Sequence, residues 1–189
     1  MRQKTYTYIP VARFDMLDPK YKLLHKMNVF ALVSVIVGSL IGIAINFGVR
    51  MSEIVAGMYV VYIVCGVVCG VLYPYLHEIA HAAAILFVKG RIAEIKFGKL
   101  AASCGAPDIT FGKAQYFFVA VFPFIFFCLA LTPLCILLPP VYFPLPYIPL
   151  MYNIFGSVAD FYMIRYAMRT PKRSIVIDCG TEVSIFMPK

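Results

Sequence analysis

The residues of this chain whose types and spacing carry chemistry are His77, Glu78 and His81, in the run His77-Glu78-Ile79-Ala80-His81. A helix turns ~100° per residue, so side chains four apart stand one above the other and both imidazoles face the same way. Two imidazoles on one helix face can share a metal ion. Glu78, beside the first of them, reaches a water on that ion. This HExxH spacing is the pattern of a zinc hydrolase whose glutamate acts as general base.

Catalytic zinc takes three protein ligands and keeps one position for water, so the sequence must supply one more donor. His25 lies in a basic stretch far upstream, Glu94 in a polar segment thirteen residues beyond His81, and Glu182 near the end of the chain. Asp160 stands inside an apolar stretch, where an acid is costly and therefore a functional candidate. His81 precedes Lys89 by eight residues and Asp160 precedes Arg165 by five and Arg169 by nine, which puts both groups ~10 Å in from a charged boundary if both segments are helical. The matching depth makes Asp160 the expected third ligand; the alternative is an acid that pairs with a histidine structurally or lines a polar cavity. Asn153, seven residues before it, shares its helix face. Two roles stay open for Asn153, a donor to a developing oxyanion or an interhelical hydrogen bond. Tyr73, Tyr75, Cys104 and Pro123 fall near enough to border the site, with packing as their expected role.

The elements that must position these residues are apolar. The composition is 62% hydrophobic and 14% charged, with a mean hydropathy of +0.85, which points to an integral membrane protein. Residues 27–49 carry no charge and are long enough to cross a ~30 Å hydrocarbon core. Residues 54–88 form a longer apolar run, with Pro74 as the expected kink. A third span is expected over 114–138 and a fourth over 150–168, separated by an extended loop with five prolines between 139 and 149. The expected fold is therefore an all-α membrane protein of about four transmembrane helices with a small cytoplasmic β-like loop. That loop lies within 89–113, where Ala93, Ile95 and Phe97 alternate with Glu94 and Lys96. The division is an interfacial arm over 1–26, a four-span core over 27–168 and a tail over 169–189 that reads weakly as a hairpin.

The formal charge of +8 comes from basic residues that flank the apolar runs. No nucleic-acid motif accompanies them, so no nucleic-acid partner is expected. Their placement puts both termini and the 89–113 loop in the cytosol of a multi-pass cell-membrane protein. The six cysteines form no CxxC pair and are expected as reduced packing residues.

The motif His77-Glu78-Ile79-Ala80-His81-Ala82 in an apolar helix, followed by an aspartate in a later helix, resembles intramembrane metalloproteases of the site-2 protease type. A closer similarity is to uncharacterised bacterial membrane proteins classed as putative zincin peptidases. It spans about residues 70 to 165 and rests on that motif, on Ala102-Ser103-Cys104 leading to Gln115-Tyr116, on Pro123, and on Asn153, Gly156-Ser157 and Asp160. The resemblance implies His77, His81 and Asp160 as zinc ligands and Glu78 as the catalytic residue. The expected activity is zinc-dependent endopeptidase cleavage of a membrane protein or peptide in or near the cytoplasmic side of the bilayer. The rival from another class is a non-catalytic metal-binding or partner-binding membrane protein, against which an intact Glu78 argues.

Overall fold

The computed structural model describes residues 8–15, 56–97 and 102–189, with isolated positions 20, 26, 29, 33, 36 and 37 between the first two segments. The expected span over 27–49 lies almost wholly outside them. Strand β1 (Tyr8–Asp15) comes first, followed by helix α1 (Ala56–Lys89), β2 (Glu94–Phe97), β3 (Ala102–Gly105), β4 (Thr110–Gly112) and α2 (Lys113–Leu137). A 3₁₀ turn (Pro140–Tyr142), α3 (Pro144–Gly156), α4 (Val158–Arg169), β5 (Ile175–Asp178) and β6 (Glu182–Pro188) complete the order.

The expectation of an all-α, four-span protein is overturned. Strands form two sheets, one of order β1-β6-β5-β4 and one of β2-β3. Among the described residues, only Val60–Lys89 and Lys113–Leu137 are helices long and apolar enough to cross a membrane. The stretch expected as a fourth span divides at Ser157 into α3 and α4, of 13 and 12 residues. At 1.5 Å per residue each is ~20 Å long, short of a ~30 Å core. The proline-rich stretch is not one extended loop either. Pro144 and Pro146 open α3, where missing amide hydrogens leave no intrahelical bond unmade. Pro149 removes the donor that Leu145 O would have received, and the Cys65 thiol approaches that carbonyl at 3.9 Å. Pro74 falls inside α1 and Pro123 and Pro133 inside α2, and neither helix ends at them.

The larger sheet is antiparallel throughout, with Ile185 opposite Ala12 on one side and Val176 on the other. Strand side chains alternate in direction, so Val183 and Ile185 point inward and are fully buried. They join Phe111 and Val176 against Ala84, Ile85, Tyr116, Val119 and Met163 from the helices. This mixed core ties the sheet to the helical layer, and the Phe14 ring stands edge-on to Tyr166 at its margin. The outer faces of α1 and α2 remain apolar and exposed, at Val60, Ile63, Val67, Leu129 and Ile136 among others.

Candidate metal centre

His77 and His81 project from the middle of α1 and are almost entirely buried. Asp160, in the first turn of α4, meets both. Its Oδ2 lies 3.0 Å from His77 Nε2 and its Oδ1 3.3 Å from His81 Nε2. The two Nδ1 atoms are engaged elsewhere. The Tyr73 hydroxyl donates to Asn153 Oδ1 at 2.6 Å, so its oxygen is left to accept from His77 Nδ1–H at 2.9 Å. His81 Nδ1–H donates to the Val119 carbonyl at 3.0 Å. These bonds set both tautomers, leaving the Nε2 lone pairs directed at Asp160.

One ligand atom from each of His77, His81 and Asp160 lies within 4.8 Å of the others. Tetrahedral zinc with bonds near 2.0–2.1 Å would separate its ligands by about 3.3 Å, close to the two observed nitrogen–oxygen distances. A donor set of two neutral imidazoles and one carboxylate, with the outer nitrogen of each imidazole already hydrogen-bonded, fits zinc. Close packing brings the parts together. A Cβ on Gly156 would fall 2.9 Å from Tyr73 Cε1, so glycine there leaves room for the tyrosine that meets His77.

Glu78 lies beside the triad and crosses to the strand side of the site, where its Oε2 accepts the backbone N–H of Cys104 at 2.7 Å. The cavity between helices and strands has a volume of about 90 Å³ and is bounded by Glu78, Cys104, Ile85, Val119 and Asp178 along with the triad. Asp178 ends β5, and its Oδ1 accepts the Gly180 N–H at 2.9 Å. Burial pushes the Asp178 carboxyl up to about 7, against that N–H and the His81 ring, which favour the ionised form. Burial, assisted by the Glu78 and Asp178 charges, lifts the Cys104 thiol to about 12, so it borders the cavity as a neutral thiol. The β5–β6 turn is seated on β3 by glycines. A Cβ on Gly105 would lie 2.4 Å from the Cys179 carbonyl carbon, and Gly180 has φ +94°, in the left-handed region.

The structure thus brings His77, Glu78, His81 and Asp160 around one cavity. Asn153 is fully buried one layer behind. Its Nδ2 donates to Phe124 O at 3.0 Å and lies 3.4 Å from Cys128 Sγ, while its Oδ1 serves Tyr73. Tyr75 turns toward Phe97, with ring centroids 5.9 Å apart, and Pro123 packs in the core. Two participants were not legible as such. Tyr73 had a readable signal, since it lies one helical turn before His77, but Asp178 sits in a short strand with no motif.

Two imidazoles and a carboxylate around one point, with a glutamate beside them, form a candidate metal site of the kind a zinc hydrolase uses. The chain belongs to the family described as putative zincin peptidases, whose profile matches residues 70–175. That match carries both histidines, Glu78 and Asp160, and it suggests a zinc metallopeptidase. No curated protein and no solved structure matches the chain.

Proposed function

We propose that this protein is a membrane-embedded zinc endopeptidase that cleaves a membrane protein or peptide near the cytoplasmic face of the bilayer, as the site-2 protease resemblance also suggests. The observation that carries the reading is Glu78, whose Oε2 is fixed by the Cys104 N–H beside the ligand triad while its other oxygen has no hydrogen-bond partner among the described residues. A pure binding site needs no such base. Zinc held by His77, His81 and Asp160 would polarise the scissile carbonyl and acidify a water. Glu78 then takes the proton of the attacking water and passes it to the leaving amine. Tyr73 holds the His77 ring in its tautomer, and Asn153, its amide committed to Tyr73 and Phe124, holds Tyr73. Asn153 therefore acts as a positioning residue rather than as an oxyanion donor.

The bilayer is the natural medium for the exposed apolar faces of α1 and α2, which would be unfavourable in water. One sheet joins β1 from the N-terminal side, β4 from the α1–α2 connection and β5–β6 from the C-terminal side. That shared sheet supports a topology in which all three segments lie on one face of the membrane. Basic residues in and near them, including Arg13, Lys96, Lys113 and Lys172, favour the cytosolic face under the positive-inside rule. The strand layer also supports an extended substrate, since β2 keeps one edge unpaired among the described residues.

Glu78→Gln tests the reading, because an amide has nearly the same shape and cannot take the proton. Zinc content should be unchanged and turnover should fall by ~10²- to 10⁴-fold. Membrane proteomics of cells carrying either form should show uncleaved substrate accumulating in the variant. A variant that keeps zinc and restores every phenotype of a deletion strain would refute catalysis as the function.

A further inference from the structure

Asp178 faces the metal cavity from the strand side and has no role in holding the triad. It comes from β5, beyond the family match, and lies opposite the α1 histidines. One of its oxygens is taken by the Gly180 N–H within the β5–β6 turn. The other oxygen has no hydrogen-bond partner, and no lysine or arginine pairs with the carboxylate, among the described residues. Such a group is costly unless a cation meets it.

Charge around the cavity points the same way. A divalent metal with two neutral imidazoles and Asp160 carries one net positive charge, which Glu78 as base offsets. In its ionised form Asp178 then leaves the cavity with one uncompensated negative charge, facing the space that a substrate must enter. The neighbouring walls, Ile85 and Val119, are apolar and suit a hydrocarbon stem rather than a hydrated inorganic cation.

We propose that Asp178 and the β5–β6 turn form a subsite for a substrate ammonium group adjacent to the bond being cleaved. This inference rests on the peptidase reading of the same site and narrows its substrates to peptides that present a primary amine there. The amine has two sources, the α-amino group of a chain terminus or the side chain of a lysine. Each places an ammonium on an apolar stem.

The test uses the full chain in detergent, loaded with zinc, and three hydroxamate probes whose affinities are read by calorimetry. Leucine hydroxamate offers an α-ammonium, Nα-acetyl-lysine hydroxamate a side-chain ammonium, and Nα-acetyl-leucine hydroxamate neither. At least one ammonium probe should bind ~10- to 100-fold more tightly than the uncharged one, the range for a hydrogen bond to a charged partner. The preferred probe identifies the source of the amine. In Asp178→Asn, whose amide oxygen still accepts the Gly180 N–H, that preference should fall to within about twofold while the uncharged probe binds as before. Equal binding of all three to the wild type, or no binding by any, overturns the subsite without recourse to the variant. A preference that survives Asp178→Asn overturns it too. The peptidase reading fails separately, if the ammonium preference holds but wild-type and Glu78→Gln cells show the same membrane-protein fragments.

Discussion

The two walls of the cavity are built to opposite rules. On the helical wall the metal-binding side chains are tied from behind: His77 through Tyr73 to Asn153 and Phe124, and His81 directly to Val119. Facing the strand wall, Glu78 of α1 and Asp178 of β5 each accept one backbone N–H, from Cys104 and Gly180, and have no further hydrogen bond among the described residues. The difference separates tasks. Under the proposed function, side chains that converge on an ion are held from behind by hydrogen bonds, whereas groups that exchange protons or meet a substrate retain an oxygen for it.

The comparison breaks most decisively at Asp160. Asp160→Ala should reduce zinc affinity well beyond the ~10- to 100-fold typical of losing an outer partner, since it removes one of three ligands. Metal analysis of the purified variant, with membrane insertion checked in parallel, decides this, and full zinc occupancy would remove Asp160 from the ligand set. Tyr73→Phe deletes a single hydroxyl of the helical wall and should weaken zinc by ~10- to 100-fold while the fold persists. Zinc titration against a competing chelator measures it. Unchanged affinity would mean that the histidine needs no support from behind.

Gly105→Ala sharpens the contrast from the other side. The added methyl meets the Cys179 backbone at 2.4 Å, and relieving that overlap should destabilise the protein by ~1–3 kcal/mol. Because the displaced elements are β3 and the β5–β6 turn, zinc binding should survive and turnover should fall; loss of zinc instead would show that the two walls are not separable. The smallest effect is expected at the rim of the sheet, where Arg13 Nη2 donates to Glu182 Oε2 at 2.7 Å. Its guanidinium holds the Glu182 carboxyl below the ordinary range. A lowered carboxyl stabilises the folded state above its unfolded value and loses that contribution as pH falls through the folded one. Amide-exchange protection of β1 should therefore weaken slightly on acidification through and below the usual glutamate range, and in high salt, and Arg13→Ala should abolish that dependence.

The helical wall was legible because its information is local. Four-residue spacing places His77 and His81 on one face whatever the tertiary structure, and an isolated acid in an apolar stretch draws attention to Asp160. Composition revealed the apolar helices but overcounted the crossings, since mean hydropathy does not register that Gly156-Ser157 divides a stretch into two short helices. The strand wall was hidden for a different reason. Residues 175–178 and 182–188 are too short and too ordinary for their partners to be read, and their pairing with residues as remote as 8–15 depends on contacts that no periodicity encodes. Asp178 consequently carries no signal of its own in the sequence.

The position of Asp178 in the chain also fixes an order of manufacture. The α1 histidines are synthesised about a hundred residues before it and Asp160 only 18 residues before it, so at ~5–20 residues per second the ribosome delivers the third candidate ligand ~4–16 s after the histidines and Asp178 ~1–4 s later. During that interval the two histidines and Glu78 stand without Asp160, so the candidate ion site and the strand that faces it are both completed by residues 160–189. A nascent chain of this design therefore has no complete set of candidate ligands until α4 has been made, and no closed cavity until the last strand pair folds back onto β3.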